Sequence, residues 1–270
     1  MLPTQRFLMC SPDYFDVTYV INPWMEGNLH GTSVEKARQQ WQGLYEIIAR
    51  RAEVELIPPQ PGLPDMPFTA NAGLILKDKV ILSRFRFPER RKEEPHFEEW
   101  FNSKQYSVIK MPDGLSFEGA GDALFDFERG LLWTGCGTRT PVETHAYLAQ
   151  LLDLKVLTLS LVTEHFYHLD TCFCPLANGY LLYHPDAFEE AGQRLIAEYV
   201  PAEKRLLVNA EDAYNFACNA INIDNLVILS RASDNLRRLL SDAGFEVVQT
   251  ELSEFTKAGG AAKCLTLRLE

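Results

Sequence analysis

Apolar and polar residues alternate in short strand-like segments along this chain, and several of these segments follow a patch of small and polar residues. Near the C-terminus, residues 265–269 alternate between leucine and a polar residue, which is the period of a half-buried strand. The patch before it, residues 259–264, begins with two glycines, which let other groups approach the backbone. The pattern predicts a strand whose opening lies against other parts of the chain.

The same arrangement recurs at four earlier places with nearly constant spacing. Small and polar patches open apolar segments at residues 68–76, 117–125, 167–176 and 216–223. Measured between Asn71, Gly121, His168, Cys218 and Cys264, the steps are 50, 47, 50 and 46 residues. A period of this size is typical of repeat architectures, so the sequence predicts five copies of one structural unit.

Each predicted unit continues with a second strand, a helix and a third strand. Second strands are predicted at residues 79–84, 131–135, 180–184 and 226–230, and third strands at residues 54–57, 106–109, 156–159, 205–208 and 245–248. Ser33 and Ser233 are predicted helix caps, and residues 140–143 are predicted to form a capping box with Pro141 at the first helical position. Strands that alternate with helices predict the α/β class.

The last patch has no second strand after it, and residues 6–12 at the other end of the chain look like that missing strand. We therefore expect the N-terminal strand to pair with the C-terminal one and to close a ring of five units with few exposed edges. The openings of the inner strands then converge on the axis of the ring. This convergence is predicted to bring together Asn71, Glu118, His168, Asp170 and Cys264.

The composition suits a globular protein with a large core and excludes some partner classes. The 270 residues are 46% hydrophobic and carry a formal net charge of −11 with scattered basic residues, so neither nucleic acid nor an anionic membrane is an expected partner. No apolar run approaches the ~18 residues of a membrane span, and residues 1–6 lack the apolar core of a signal peptide. We expect a cytoplasmic protein with one domain over residues 1–270.

The cysteines and histidines lack the spacing of a metal site, so we expect neither a metal nor another cofactor. Most of the six cysteines are expected to be free and buried, and Cys218 is interpreted as structural. His30, His96, His145, His165 and His184 are interpreted as surface or loop residues.

Cys264 and His168 are the candidate catalytic pair. Nucleophilic catalysis needs a thiolate and a group that moves its proton, and the repeat aims the Cys264 patch at His168. Asp170 lies two residues further along a strand and is expected to face the same side as His168. The alternative for each of these side chains is an ordinary core position.

Glu118 and Asp170 are carboxylates among small and apolar residues, where an unpaired charge is costly. They therefore need a cation, and a planar guanidinium fits because it offers donors in a fixed fork. Both carboxylates are expected to raise the pKa of Cys264 in the free protein. Asp122 is interpreted as a turn or strand-start residue.

An amino-acid substrate also needs cations for its own carboxylate. Arg90 and Arg139 follow the second strands of two units and are candidates, although arginines in such loops are normally solvated. Asn22 lies in a turn-rich segment that is predicted to fold over the opening of the ring as a lid.

These residues together resemble the pentein superfamily of guanidine-modifying enzymes, and the resemblance covers essentially the whole chain. Glu118-Gly119, His168-Leu169-Asp170-Thr171 and the late Cys264 are similar to the acidic, His-x-Asp and cysteine motifs of that family. Residues 22–28, 68–73 and 168–176 also resemble the N-terminal domain of cyanobacterial arginine dihydrolases. The resemblance implies a five-bladed α/β-propeller and covalent attack of the cysteine on a guanidino carbon.

The same resemblance implies a function and a site. Arginine dihydrolase activity, from L-arginine to ornithine, is the expected function. Arginine deiminases have an aspartate where this chain has Asn71, and they stay an alternative together with amidinotransferases, dimethylarginine hydrolases and a non-catalytic binding module. The implied catalytic residues are Cys264, His168, Glu118 and Asn71, and the implied substrate contacts are Asn22, Arg90, Arg139, Asp170 and the backbone of Ala258. An ornithine-processing domain, fused or associated, and a homo-oligomer are the expected partners besides the substrate.

Overall fold

Small three-stranded sheets make up the protein, whose computed structural model describes residues 5–269. Residues 1–4, which belong to the N-terminal segment that is predicted to lack a signal peptide, lie outside the described residues. The strands are β1 (Arg6–Cys10), β2 (Glu53–Ile57), β3 (Gly73–Leu76), β4 (Lys79–Leu82), β5 (Ser107–Lys110), β6 (Ala123–Asp126), β7 (Leu131–Cys136), β8 (Lys155–Ser160), β9 (Phe173–Pro175), β10 (Leu181–Tyr183), β11 (Arg205–Leu207), β12 (Ile221–Ile223), β13 (Leu226–Leu229), β14 (Glu246–Gln249) and β15 (Leu267–Arg268). The helices are α1 (Val34–Ala49), α2 (Glu94–Ser103), α3 (Val142–Leu152), α4 (Glu190–Tyr199), α5 (Ala210–Tyr214), α6 (Asp234–Asp242) and α7 (Ser253–Thr256).

All five sheets share one topology. An inner strand pairs antiparallel with a middle strand, which pairs in parallel with an outer strand, as in β3-β4-β5. Parallel neighbours need a crossover connection, and a helix such as α2 supplies it. The repeated unit predicted from the sequence is therefore confirmed, and so is the five-bladed α/β-propeller.

The ring closes through its two ends. β15 pairs antiparallel with β1, with Leu8 opposite Leu267, and β1 pairs in parallel with β2. The predicted pairing of the N-terminal and C-terminal strands is confirmed. The closing strand is shorter than predicted, because the backbone around Leu265 and Thr266 is still turning: their N–H groups donate to the carbonyls of Ala261 and Lys263.

Two of the predicted helix caps are confirmed and the third is wrong. The hydroxyl oxygen of Ser33 accepts from the N–H of Lys36, and that of Ser233 accepts from Leu236. Before α3, Pro141 itself is the cap residue and no side chain caps the helix. The capping box fails because the hydroxyl of Thr140 donates to the Asp122 carboxylate at 2.6 Å instead.

The core lies between the helices and the outer faces of the sheets. Leu44 and Ile48 of α1 and Leu236 and Leu240 of α6 are buried there, which follows from their spacing along one helix face. His145 is buried inside α3, so its interpretation as a surface or loop residue was wrong, whereas His184 is buried but lies in the loop after β10. No helix in the described part of the chain has the length and apolar character needed to span a lipid bilayer.

Turns at the openings of the inner strands meet at the axis of the ring and are linked from blade to blade. The linking hydrogen bonds are Ala70 N to Cys264 O (3.1 Å), Asn71 Nδ2 to Glu118 O (3.1 Å), His168 Nε2 to Glu118 Oε2 (2.7 Å), Asn219 Nδ2 to Asp170 O (3.0 Å) and Lys263 N to Asn219 O (3.2 Å). The predicted convergence of residues that are distant in sequence is therefore found in the fold.

Candidate active site

A narrow cavity opens at the axis and collects most of the predicted site residues. Its volume is about 10 Å³, which is the space of about one water molecule. Its walls include Asn22, Asn71, Arg90, Arg139, Ala258 and Cys264. Glu118 and Asp170 lie behind these walls and form hydrogen bonds with Asn71, Arg139 and Cys264. His168 bonds in turn to Glu118. Because the cavity is so small, a substrate of amino-acid size requires its walls to move apart.

The thiol of Cys264 faces a carboxylate. Sγ lies 3.5 Å from Oδ2 and 3.7 Å from Oδ1 of Asp170, and it accepts a hydrogen bond from Nδ2 of Asn219 at 3.1 Å. Burial and then the charge of Asp170 raise the pKa of the Cys264 thiol well above its usual value. The rise expected from the carboxylate of Asp170 is found, but burial is its larger cause.

Asp170 is itself perturbed. Its side chain is completely buried, and this burial raises the pKa of Asp170 to about 6. The charge of Lys263 opposes the rise, and so does the hydrogen bond from the thiol. At neutral pH this carboxylate is ionised and sits beside a neutral thiol.

Glu118 joins the histidine to a buried arginine. Its Oε2 atom accepts from Nε2 of His168 at 2.7 Å and from Nη1 of Arg139 at 2.8 Å, and its Oε1 atom accepts from the backbone N–H of Arg86. Although burial alone raises the pKa of Glu118, the charges of Arg139 and His168 outweigh it and hold this pKa well below its usual range. Glu118 is thus a fixed anion that can stabilise a protonated imidazole.

Asn71 has an amide whose orientation is set by its partners. Its Oδ1 atom accepts from Nη1 of Arg90 at 2.8 Å, and its Nδ2 atom donates to the carbonyl of Glu118 at 3.1 Å. The backbone comes close here, because a Cβ added to Gly121 would lie 2.5 Å from Nδ2 of Asn71 and 3.2 Å from Nδ1 of His168. Glycine is the residue that leaves room for both side chains.

Arg90 and Arg139 are buried rather than solvated. Arg90 forms two hydrogen bonds with Glu93, at 2.8 and 2.9 Å. Arg139 also donates to the carbonyl of Ile21 and lies between the rings of Phe87 and Tyr167. Each guanidinium is therefore held by pre-existing contacts at the wall of the cavity.

Asn22 ties the predicted lid segment to the last blade. Its Nδ2 atom donates to the carbonyl of Ala258 at 3.1 Å, and its Oδ1 atom accepts from the N–H of Trp24. Gly259 follows with a φ of +91°, and a side chain there would meet Asn22 and Tyr167 at 2.9 Å. Asn22 and Ala258 lie together at the cavity as predicted, and the opening motion of the segment stays a prediction.

Residues that the sequence reasoning missed also belong to this site. Asp65 lines the cavity, and its buried Oδ1 atom has no hydrogen-bond partner among residues 5–269. Burial raises the pKa of Asp65, while Arg90 opposes this rise. Asp122 does end a turn as predicted, but its carboxylate is also buried 4.0 Å from Nε2 of His168. Asn219 was not predicted as a site residue, although it stands in the same Phe-x-x-Asn-Ala pattern as Asn71.

A metal centre finds no support in the described region. Between residues 5 and 269, no group of histidine, cysteine, aspartate and glutamate side chains is placed to hold an ion.

A five-bladed α/β-propeller with a cysteine, a histidine and carboxylates at its axis defines the pentein class. Within this class, the chain belongs to the N,N dimethylarginine dimethylhydrolase family, in its eukaryotic form, which it matches over residues 20–270.

Curated relatives are similar over nearly the whole chain. AgrE of Nostoc sp. strain PCC 7120 and ArgZ of Synechocystis sp. strain PCC 6803, both bifunctional arginine dihydrolase/ornithine cyclodeaminases, are 58% and 54% identical over 98% of this chain. The chain spans only 38% and 37% of their lengths. The N(G),N(G)-dimethylarginine dimethylaminohydrolase of Mycobacterium tuberculosis is 39% identical, and the match covers 98% of this chain and 86% of that protein.

Solved structures of the N-terminal domain of cyanobacterial ArgZ have the same fold. An asparagine-to-serine variant covalently bonded to a reaction intermediate superposes with a TM-score of 0.98, 53% identity and 98% coverage of each chain. A cysteine-to-serine variant bound to its substrate gives a TM-score of 0.97 at the same identity and coverage.

Proposed function

We propose that this chain is an arginine dihydrolase domain, which converts L-arginine and two waters to L-ornithine, two ammonia and carbon dioxide. One observation carries the proposal: a single cavity is lined by the thiol of Cys264, the guanidinium groups of Arg90 and Arg139, and the carboxylate of Asp65. These groups complement an α-amino acid with an electrophilic cationic side chain. The similarity to AgrE and ArgZ supports this choice of substrate.

The two ends of arginine need different partners. Arg90 and Arg139 supply positive charge for the α-carboxylate, and the unpaired Oδ1 atom of Asp65 supplies an acceptor for the α-amino group. The carbonyl of Ala258, which already accepts from Asn22, is a further acceptor at the same wall.

The guanidinium is placed near the axis, between Asp170, Glu118 and the amide of Asn71. A cation beside Asp170 compensates the carboxylate that raises the pKa of Cys264. Binding of the substrate thus lowers the pKa of the nucleophile, so the thiolate forms where it is needed.

In the first half-reaction, the Cys264 thiolate attacks the guanidino carbon. His168 donates a proton to one nitrogen, which leaves as ammonia, and Glu118 stabilises the imidazolium before transfer. A thiouronium adduct stays on the sulfur. His168, now neutral, takes a proton from water, and the resulting hydroxide attacks the adduct.

A deiminase releases citrulline at this stage. In the dihydrolase, the carbon on Cys264 first loses its second terminal nitrogen as ammonia, and a carbamoyl adduct stays on the sulfur. A second water attacks this carbon, and the C–S bond breaks to release the thiolate. The resulting N-carboxyl group then loses carbon dioxide by cleavage of its C–N bond, which leaves ornithine. Asn71 is neutral and carries an Nδ2–H donor, which suits a ureido oxygen on which negative charge develops. We therefore attribute the second hydrolysis, which yields ornithine, to the amide of Asn71.

The experiment measures the stoichiometry of the products when the reaction is complete. Purified protein is incubated with L-arginine alone, and ammonia, ornithine and citrulline are quantified. Two ammonia and one ornithine per arginine support the proposal. One ammonia with citrulline makes the chain a deiminase, and no ammonia at any pH between 6 and 10 favours a binding module. In a parallel incubation with an added acceptor amine, turnover that occurs only there identifies an amidinotransferase.

Dimethylarginine hydrolysis is the second candidate, and the family match favours it. The same incubation with asymmetric dimethylarginine releases dimethylamine and citrulline if this activity is present.

The wider organisation belongs to the same proposal. We infer one catalytic domain over residues 1–270 that passes ornithine to an ornithine-processing domain, fused or associated, as the bifunctional relatives suggest. A cytoplasmic location and self-association stay predictions, which cell fractionation and light scattering test.

A further inference from the structure

The side chain of Asn219 is fully buried and forms four hydrogen bonds around the nucleophile. Its Oδ1 atom accepts from the backbone N–H groups of Ala261 and Cys264, both at 3.1 Å. Its Nδ2 atom donates to the carbonyl of Asp170 at 3.0 Å and to Sγ of Cys264 at 3.1 Å. One amide thus holds the backbone of the nucleophile turn and also contacts the reacting sulfur.

The partners of Asn219 fix the orientation of its amide. Two N–H donors face one end of the amide, so that end is the carbonyl oxygen; the opposite orientation would place an NH2 group against both donors. The other end is then the NH2 group, whose two hydrogens go to the carbonyl of Asp170 and to the sulfur of Cys264. A hydrogen bond of this kind is stronger to a thiolate than to a thiol.

The two strongest effects on the sulfur oppose its ionisation, and the net result is a raised pKa of Cys264. Burial and Asp170 raise the pKa of Cys264, whereas the N–H of Ala261, the side chain of Asn219 and the charge of Lys263 lower it. Tyr167 also interacts electrostatically with the sulfur. Asn219 is therefore the side-chain donor that favours the thiolate without adding a charge to the site.

The repeat offers an independent sign of this role. Asn219 occupies the same position in its blade as Asn71, and both amides reach a backbone carbonyl of an adjacent blade. The remaining contacts differ, because Oδ1 of Asn71 accepts from Arg90 and that of Asn219 accepts from the nucleophile turn. The asparagine amide thus contacts the guanidinium of Arg90 in one blade and the thiol of Cys264 in the other.

We propose that Asn219 is a positioning residue for Cys264, which aims the sulfur and stabilises its thiolate through the Nδ2–H donor. This inference deepens the proposed function and rests on it. Both Nδ2 hydrogens of Asn219 go to the carbonyl of Asp170 and to the sulfur, and its Oδ1 atom accepts from two backbone N–H groups, so the amide acts through the sulfur and keeps no free donor for the substrate.

The test is the pH dependence of alkylation of the free protein by iodoacetamide, corrected with Cys264→Ala for the other thiols. For Asn219→Ala we expect the profile to move to higher pH, with a rate at pH 8 lower by about tenfold. In the arginine assay, kcat/KM falls by a similar factor while KM changes by less than about twofold. The matched control is Asn222→Ala, since Asn222 bonds only to backbone groups of Ala177, Asp224 and Leu226.

A folded Asn219→Ala variant with the wild-type alkylation profile overturns the inference and assigns Asn219 a structural role alone. Alkylation needs no arginine, so this result is independent of whether the wild-type protein releases ammonia. Folding of each variant is checked by its urea unfolding curve.

A measurement on the wild-type protein covers the case in which Asn219→Ala does not fold. With 15N-labelled asparagine, one side-chain NH2 resonance is expected to shift with the same midpoint as alkylation and to stay constant in Cys264→Ala. A spectrum in which no asparagine side chain follows the thiol contradicts the inference.

Discussion

Sγ of Cys264 lies 3.5 Å from Oδ2 of Asp170, so the candidate nucleophile faces an anion inside a buried site. This contact holds the thiol in its neutral form until a cation reaches the carboxylate. It also separates this cysteine from surface thiols, which ionise without a ligand. We therefore expect the Cys264 thiol to react at different rates in the free protein and in the complex with substrate.

Replacement of Asp170 by asparagine is expected to separate thiol reactivity from turnover. The carboxylate raises the pKa of Cys264, so Asp170→Asn lowers that pKa and speeds alkylation at pH 8 by about tenfold. The guanidinium loses its partner, so kcat/KM for arginine falls by at least about a hundredfold. Iodoacetamide kinetics and ammonia release measure the two effects, with the exposed Asp242→Asn as control. Slower alkylation of Asp170→Asn contradicts this account.

The same substitution is expected to stabilise the fold at alkaline pH. Burial raises the pKa of Asp170 to about 6 in the folded state, above its unfolded value of about 4, so ionisation costs stability as pH rises between these values. Asp170→Asn removes this cost, on the order of 3 kcal/mol at pH 8, and the gain disappears at pH 4. Urea unfolding at both pH values measures it. An equal gain at both pH values means that packing, not charge, is the cause.

Lys263 is expected to set the acidic limit of activity. Its Nζ atom is buried without a hydrogen-bond partner in the region 5–269, and its charge lowers the pKa of Asp170. Lys263→Met therefore raises that pKa, and the acidic limb of the kcat/KM profile moves to higher pH by about one unit because Asp170 must be ionised to hold the substrate. Lys257→Met, which removes a partly exposed lysine of the same segment, is the control. An unmoved limb in Lys263→Met refutes this role.

Gly121 is expected to tolerate no side chain. A Cβ there would lie 2.5 Å from Nδ2 of Asn71 and 3.2 Å from Nδ1 of His168, so Gly121→Ala displaces both groups and lowers kcat by at least about a hundredfold. Gly43→Ala is the matched control. Gly43 lies inside α1 with space for a methyl group, and its replacement stabilises the protein by about 0.5–1 kcal/mol. A wild-type kcat for Gly121→Ala in steady-state kinetics would show that the backbone moves enough to accept the methyl group.

The blades were predictable from the sequence because their signals are local and repeat. Alternation fixes the strands, and cap residues such as Ser33 and Ser233 fix helix starts. The capping box at Thr140 failed because a buried carboxylate of another segment, Asp122, takes its hydroxyl. Such competition depends on the tertiary structure, and no local pattern contains it.

The position of a candidate side chain at the axis was predictable where it stands in a repeated position, as with His168 and Cys264. The burial of Arg139 was not, since its partner Glu118 lies in a different part of the blade. Asp65 sits between prolines with no periodic signal, and its place at the cavity follows from the folding of the ring. Asn219 could have been predicted from the sequence, because it shares the Phe-x-x-Asn-Ala pattern of Asn71.

Asn71 is expected to decide the product. In Asn71→Asp, Oδ1 still accepts from Arg90, but a carboxylate oxygen replaces the Nδ2 donor and meets the carbonyl of Glu118. A ureido oxygen then loses its donor and faces a negative charge, so release of citrulline is favoured over the second hydrolysis. We expect the ratio of ammonia to arginine to fall from about two toward one, with citrulline in place of ornithine. Amino-acid analysis at completion measures the ratio, and Asn222→Asp is the control. Undiminished ornithine from a folded and active Asn71→Asp variant would move the choice of product from this amide to another part of the site.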